Sequence, residues 1–174
     1  MIIPETKYLS TEDLMYMRRC IEISALARSP EFPFGALLEF EGRVISERYN
    51  DALNSHQVYR HAEMLVLLDA QEQLTKEELA RCTLYSTVEP CPMCAFAIQE
   101  LAIRRVVFGL RSPVMGGFSR WSILQDTLLN QTFPNSFKQT PEILPGVLKS
   151  EVIKVWQKWD LEKWGKMMDK GVFS

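Results

Sequence analysis

With 174 residues, 47% of them apolar and 24% charged, the chain has the make-up of one globular domain with one core, spanning 1–174, and not of a disordered or low-complexity polymer. Twenty basic residues against 22 acidic ones leave a net charge of −2, which argues against a protein that grips nucleic acid through a broad basic face, though not against a local basic patch. No apolar run approaches the length of a bilayer span, and Met1 to Lys7 lack the basic-then-apolar order of a secretory signal, so the expectation is no membrane and a reducing cytoplasm.

The first element is a predicted helix over 11–27. Ser10 can cap it with Asp13 three residues on, and Leu14, Met17, Ile21 and Ala25 form its apolar stripe. Cys20 lies near that stripe and reads as a small core residue. Pro30 and Pro33 end the helix. Residues 34–40 and 44–49 are rich in strand formers and flank Glu41-Gly42-Arg43, which predicts a hairpin. A second helix starts at His61 and runs to about Gln73, buried through Leu65, Leu67 and Leu68. Residues 81–88 read as a buried strand, Pro92 suits the first turn of a helix over 92–101, and residues 105–109 form another strand.

Strand, helix, strand, helix and strand imply parallel crossovers, hence an α/β fold: a three-layer α/β/α sandwich whose hairpin makes the central sheet mixed. Beyond Gly109 the pattern weakens. Pro113, Gly116 and Gly117 mark a loop, 122–129 a short helix, 130–141 an irregular insertion and 141–147 a last strand. Val152, Val155, Trp156 and Trp159 place an amphipathic helix over 149–164.

Chemistry concentrates in His61-Ala62-Glu63 and Pro90-Cys91-Pro92-Met93-Cys94. Cys91 and Cys94 lie three apart at a helix start, so both sulfurs share one face of the first turn, where the helix dipole favours thiolates. His61 opens the preceding helix. Helix N-termini in such a fold lie beyond the carboxyl ends of the strands, so the segments meet at one sheet edge. One imidazole and two thiols make a zinc site with a fourth position open, and Glu63, two residues from a ligand, is placed to act as general acid/base. A purely structural Cys₃His site using Cys82 is the alternative, but the strand from Cys82 holds it about 20 Å from the others by its rise.

His-x-Glu followed by Pro-Cys-x-x-Cys is the pattern of zinc nucleobase deaminases. Together with Phe34-Gly35-Ala36, Thr87-Val88-Glu89 and Val106-Val107-Phe108-Gly109, it resembles the cytidine deaminase-like superfamily, in the branch holding tRNA adenosine deaminases, guanine deaminases and fungal-type cytosine deaminases. The resemblance implies one Zn²⁺ held by His61, Cys91 and Cys94, Glu63 as proton shuttle, Asn50 hydrogen-bonded to the base, and a homodimer.

Where many relatives carry Asp-Pro-Thr, this chain has Gln57-Val58-Tyr59 at the expected pocket mouth. His56 reads as a loop residue. Candidate substrate contacts are therefore Asn50, Tyr59, Ala62 and, as an aromatic lid from the tail, Trp164, with Phe173 beside it. Arg104 and Arg105 are either phosphate contacts or a solvated corner.

The favoured reading is hydrolytic deamination of a free purine base, guanine-like, with a small-molecule nucleobase or nucleoside as partner. The alternatives are a tRNA adenosine deaminase making inosine in the anticodon loop and a non-catalytic zinc-stabilised interaction module.

Overall fold

The computed structural model describes residues 9–174, and the reading of Met1 to Lys7 lies outside the described residues. Helix α1 (Thr11–Ser24) begins at the expected capping box: Asp13 N donates to Ser10 Oγ at 3.0 Å and Ser10 N to Asp13 Oδ2 at 2.9 Å. Its buried face is rotated from the expected stripe, running through Asp13, Tyr16, Met17, Cys20, Ile21 and Ser24 and leaving Ala25 exposed. Asp13 is the cause. Arg105 forms an ion pair with it and Tyr85 Oη donates to it at 2.9 Å, so a charged residue faces inward. Arg105 is thereby occupied inside the fold and is not a free phosphate contact, whereas Arg104 is exposed at the corner, where it bonds Arg81 O at 3.3 Å and Thr83 Oγ1 at 3.2 Å.

Five strands form one sheet in the order β2-β1-β3-β4-β5: β1 (Gly35–Phe40), β2 (Arg43–Tyr49), β3 (Thr83–Val88), β4 (Arg105–Leu110) and β5 (Glu142–Pro145). β1 runs antiparallel to β2 and β3, while β3, β4 and β5 are parallel. The expected hairpin is present, with Glu41 and Gly42 both at positive φ, as a tight two-residue loop requires.

Strand parity divides two cores. Ala36, Leu38, Leu84, Val106 and Phe108 face α2 (Ala62–Gln71) and α4 (Pro92–Glu100). Leu37, Tyr85 and Val107 face α1, α6 (Lys149–Trp159) and α7 (Leu161–Asp169). The result is the expected three-layer α/β/α sandwich on a mixed sheet.

Local differences have local causes. A short helix, α3 (Lys76–Leu79), is set by a Thr75–Glu78 capping box. The expected helix over 122–129 is a 3₁₀ turn at Ile123–Gln125 followed by α5 (Thr127–Thr132), capped by Asp126. Leu68 is 47% exposed, because α2 buries its other face through Leu65, Val66 and Leu67. The tail helix breaks at Asp160, whose carboxylate accepts from Lys163 N at 2.9 Å and starts α7. No helix among the described residues is long and apolar enough to cross a membrane.

Candidate active site

The carboxyl ends of β3 and β4, the start of β1 and the end of β2 lie at one sheet edge, as the strand directions dictate. His61 is the N-cap of α2, Cys91 the N-cap of α4, and Cys94 stands in the first turn of α4. Pro92 opens α4 where its missing N–H leaves nothing unpaired. Two segments thirty residues apart thus converge through their helix N-termini.

His61 Nδ1 lies 3.5 Å from Cys91 Sγ and 3.6 Å from Cys94 Sγ, and the two sulfurs are 3.6 Å apart. For a tetrahedral zinc with ordinary Zn–S and Zn–N bonds, the ligand–ligand edges come to about 3.8 Å for S···S and about 3.6 Å for S···N. Donor chemistry and spacing therefore fit zinc. Among the described residues these three are the group able to hold a metal ion. Cys82 is not among them: its buried thiol donates to Glu78 O at 3.4 Å.

Hydrogen bonding from Cys94 draws the Cys91 thiol down to about 4 against the opposing effect of burial, with His61 helping. Cys94, sharing that bond and fully buried, is pushed the other way. The bond to Cys91 raises His61. Glu63 is 6% exposed, and burial followed by the charge of Cys91 raises its carboxyl above the ordinary carboxylate range. Its Oε2 lies 3.8 Å from Cys94 Sγ and its Oε1 3.1 Å from Ser86 Oγ. Ser86 also reaches Val88 O at 2.6 Å, and β3 parity turns it toward α2.

The loop between β2 and α2 is closed by residues 51 and 60. Asp51 N donates to Arg60 O at 3.0 Å, and Arg60 Nε donates to Asp51 Oδ2 at 2.8 Å. This pins the chain on the N-terminal side of His61. Val58 and Tyr59 are 82% and 49% exposed on that loop, and Tyr59 Oη bonds Gln57 at 2.7 Å. His56 sits there at φ 56°, a loop residue apart from the three ligands. Asn50 is buried at the end of β2, and Ala62 is buried in the first turn of α2.

Trp164 is not brought to the site. It stacks on Phe173 at 5.9 Å and 13°, and both pack on Trp156 beneath the opposite face of the sheet. The break at Asp160 causes this by turning α7 back onto the aromatic cluster. An aromatic lid from Trp164 is thus corrected to core packing.

Two buried carboxylates, Glu89 and Glu31, carry roles that the sequence did not assign. Glu89 accepts from Ser112 N (2.9 Å), Phe118 N (2.9 Å), Ser119 N and Ser119 Oγ (both 2.6 Å), holding the 112–119 loop against the start of α4. Within that loop Gly117 N donates to Pro90 O at 2.8 Å, and a Cβ on Gly117 would lie 2.3 Å from that of Ala95. Glu31, in the Pro30–Pro33 turn, is the second. The available signal was an acid next to proline at a strand boundary: Glu89 between β3 and Pro90, Glu31 just before β1.

Residues 10–110 match the model of the cytidine and deoxycytidylate deaminase zinc-binding region. The chain is 37% identical over 142 residues to the tRNA-specific adenosine deaminase of Bacillus subtilis, covering 81% of this chain and 84% of that protein. A structure from a study of A-to-I editing by tRNA:A34 deaminases superposes with TM-score 0.65 at 30% identity, covering 81% of this chain and 99% of that one. A guanine deaminase from Nitrosomonas europaea superposes with TM-score 0.62 at 19% identity, covering 88% and 86%, a likeness of fold alone. A metal-binding trio of His61, Cys91 and Cys94 on this sheet, together with a match covering more than half of the sequence, places the chain in the cytidine and deoxycytidylate deaminase zinc-binding family as a zinc-dependent deaminase.

Proposed function

We propose that the protein deaminates adenosine in a transfer RNA to inosine. The observation that carries this is the 37% identity to a tRNA-specific adenosine deaminase over four-fifths of both chains. The free guanine-like base favoured by the sequence reading has weaker support, since the guanine deaminase likeness stands at 19% identity.

Two structural features favour a large substrate. Trp164 and Phe173 are consumed by the aromatic core, so the cover that would seal a small flat base is not supplied by them. Arg120 lies over the ring of Trp121 at 5.2 Å, and Trp121 is 56% exposed. A cation and an open aromatic face thus stand three and four residues beyond Gly117, which packs on the start of α4. Such a pair suits stacking by a single-stranded base next to the target.

When bound, zinc held by three protein ligands supplies a Lewis acid that makes hydroxide available near neutral pH. Glu63 takes one proton of the attacking water and gives it to ring N1 of adenine as the new C6–O bond forms, then takes the proton left on the C6 hydroxyl and delivers it to the departing amine. The C6–N6 bond breaks, ammonia leaves and a carbonyl remains, so one water is consumed per inosine formed. Burial raises the Glu63 carboxyl, as a group that must both accept and return a proton requires. Asn50 holds the base, and Tyr59 and Ala62 line its approach. The enzyme works as a homodimer in the cytoplasm, where its RNA substrate is found.

Incubation of the zinc-loaded protein with an anticodon stem-loop RNA bearing adenosine at the wobble position tests this, with Glu63→Ala as the blank. Inosine is expected from the wild type alone. Its absence, with zinc confirmed, would return the reading to a free base.

A further inference from the structure

Glu31 is 0% exposed, on the turn between α1 and β1. A buried carboxylate ordinarily faces a cation or a metal, because desolvating the charge is otherwise costly. Glu31 has four N–H partners, none of them a cation. Oε1 accepts from Asn50 Nδ2 at 2.6 Å and Phe32 N at 3.2 Å. Oε2 accepts from Leu53 N at 2.8 Å and Asn54 N at 3.4 Å. The carboxylate therefore joins the approach to β1 to the stretch that leaves β2, on the sheet edge where the zinc ligands stand.

The shortest of these contacts falls on the amide of Asn50. An amide oxygen and an amide nitrogen look alike in shape, but a carboxylate that only accepts hydrogen bonds can face only the nitrogen. Glu31 thus fixes which way the Asn50 amide points. Asn50 Oδ1 has no hydrogen-bond partner among the described residues and is not among their buried unsatisfied atoms.

The geometry points to Glu31 as a positioning residue that locks the Asn50 amide from behind, leaving its carbonyl oxygen and one N–H to read the base. This rests on the deaminase reading above, with Asn50 against the substrate, and adds to it the group that sets the direction of that contact.

Glu31→Gln keeps the shape but brings an NH₂ against N–H donors whichever way it is placed. With the NH₂ in place of Oε1, Asn50 must turn over and Phe32 N loses its acceptor; in place of Oε2, Leu53 N and Asn54 N lose theirs. The expected loss in kcat/KM on the anticodon stem-loop is roughly 10- to 100-fold, carried mainly by KM, with zinc content unchanged.

The test is a double-mutant cycle of Glu31→Gln and Asn50→Ala on that RNA, with zinc per chain and urea stability measured for each variant. If Glu31 acts through Asn50, Glu31→Gln costs less than threefold in the Asn50→Ala background. An equal loss in both backgrounds would overturn the proposal and leave Glu31 as a loop brace. A wild type that turns over neither the RNA nor free guanine would refute the deaminase reading instead.

A measurement on the wild type alone guards against a variant that does not fold. Hydrogen exchange of the Asn50 side-chain amide should show one of its two protons protected. Equal, rapid exchange of both would overturn the proposal whatever the variants do.

Discussion

Glu89 supports the metal site from behind, and truncating it should cost both stability and zinc. Its carboxylate is 4% exposed and accepts four hydrogen bonds from a loop that has no regular structure of its own. Hydrogen bonds to a charged group contribute about 1.5–3 kcal/mol each, but in Glu89→Ala the freed loop can turn some donors to water. The expected loss is therefore about 3–4 kcal/mol, below the sum.

Glu89→Gln should cost less. With its nitrogen in place of Oε2, the hydroxyl of Ser119 can rotate to accept, and only Ser112 N–H is stranded, at about 1–3 kcal/mol. Because Gly117 N of the same loop holds Pro90 O at 2.8 Å, loosening the loop loosens the segment bearing Cys91. Zinc affinity of Glu89→Ala should fall roughly 10- to 100-fold, as for other groups that orient metal ligands. Urea unfolding of the metal-free protein and competition with a chromogenic chelator measure the two effects separately. An alanine variant within about 0.5 kcal/mol of wild type, with zinc affinity unchanged, would refute the reasoning.

Three further outcomes follow from particular contacts. Burial alone would raise the Asp13 carboxyl, but hydrogen bonds from Arg105, Ser10 N and Tyr85 more than offset it and hold it below 3.8. That stability is present above pH 3.8 and is lost as pH falls through the lowered folded value, so Asp13→Asn should flatten the acid limb of an unfolding-versus-pH curve; an unchanged limb would contradict this. Trp164→Ala should destabilise by about 3–5 kcal/mol while leaving KM of the folded protein within twofold, whereas a large KM change without destabilisation would restore the lid. Trp121→Ala should weaken stem-loop RNA binding by about 1–3 kcal/mol, and binding unaltered in a titration would remove the stacking face.

How much of this was legible in the sequence depended on how local the signal was. The zinc trio and Glu63 rest on spacings of two and three residues and on helix starts set by proline, so their geometry follows once the strands are placed. The sandwich likewise follows from alternating elements. Trp164 misled because it lies beyond the Val152–Trp159 stripe and so read as free to cover a pocket; the Asp160 cap, which a helical period does not register, starts a new helix that turns it onto the core. The rotated face of α1 was hidden because an aspartate is not expected inside; its partners Tyr85 and Arg105 come from β3 and β4, far along the chain. Glu31 and Glu89 were missed for the same reason, since their short contacts come from far along the chain: Asn50 and Leu53 N for Glu31, residues 112–119 for Glu89.

The substrate, an RNA or a free base, separates the two readings of this site. One comparison tests it most directly: kcat/KM of the zinc-loaded wild type on an anticodon stem-loop RNA with adenosine at the wobble position, against free guanine and free adenosine in the same buffer. Inosine should form in the RNA, with roughly a hundredfold or greater preference for it over either small molecule, since stacking of even one or two flanking bases supplies that much. Ammonia released from guanine at the higher efficiency, with the RNA unchanged, would contradict it.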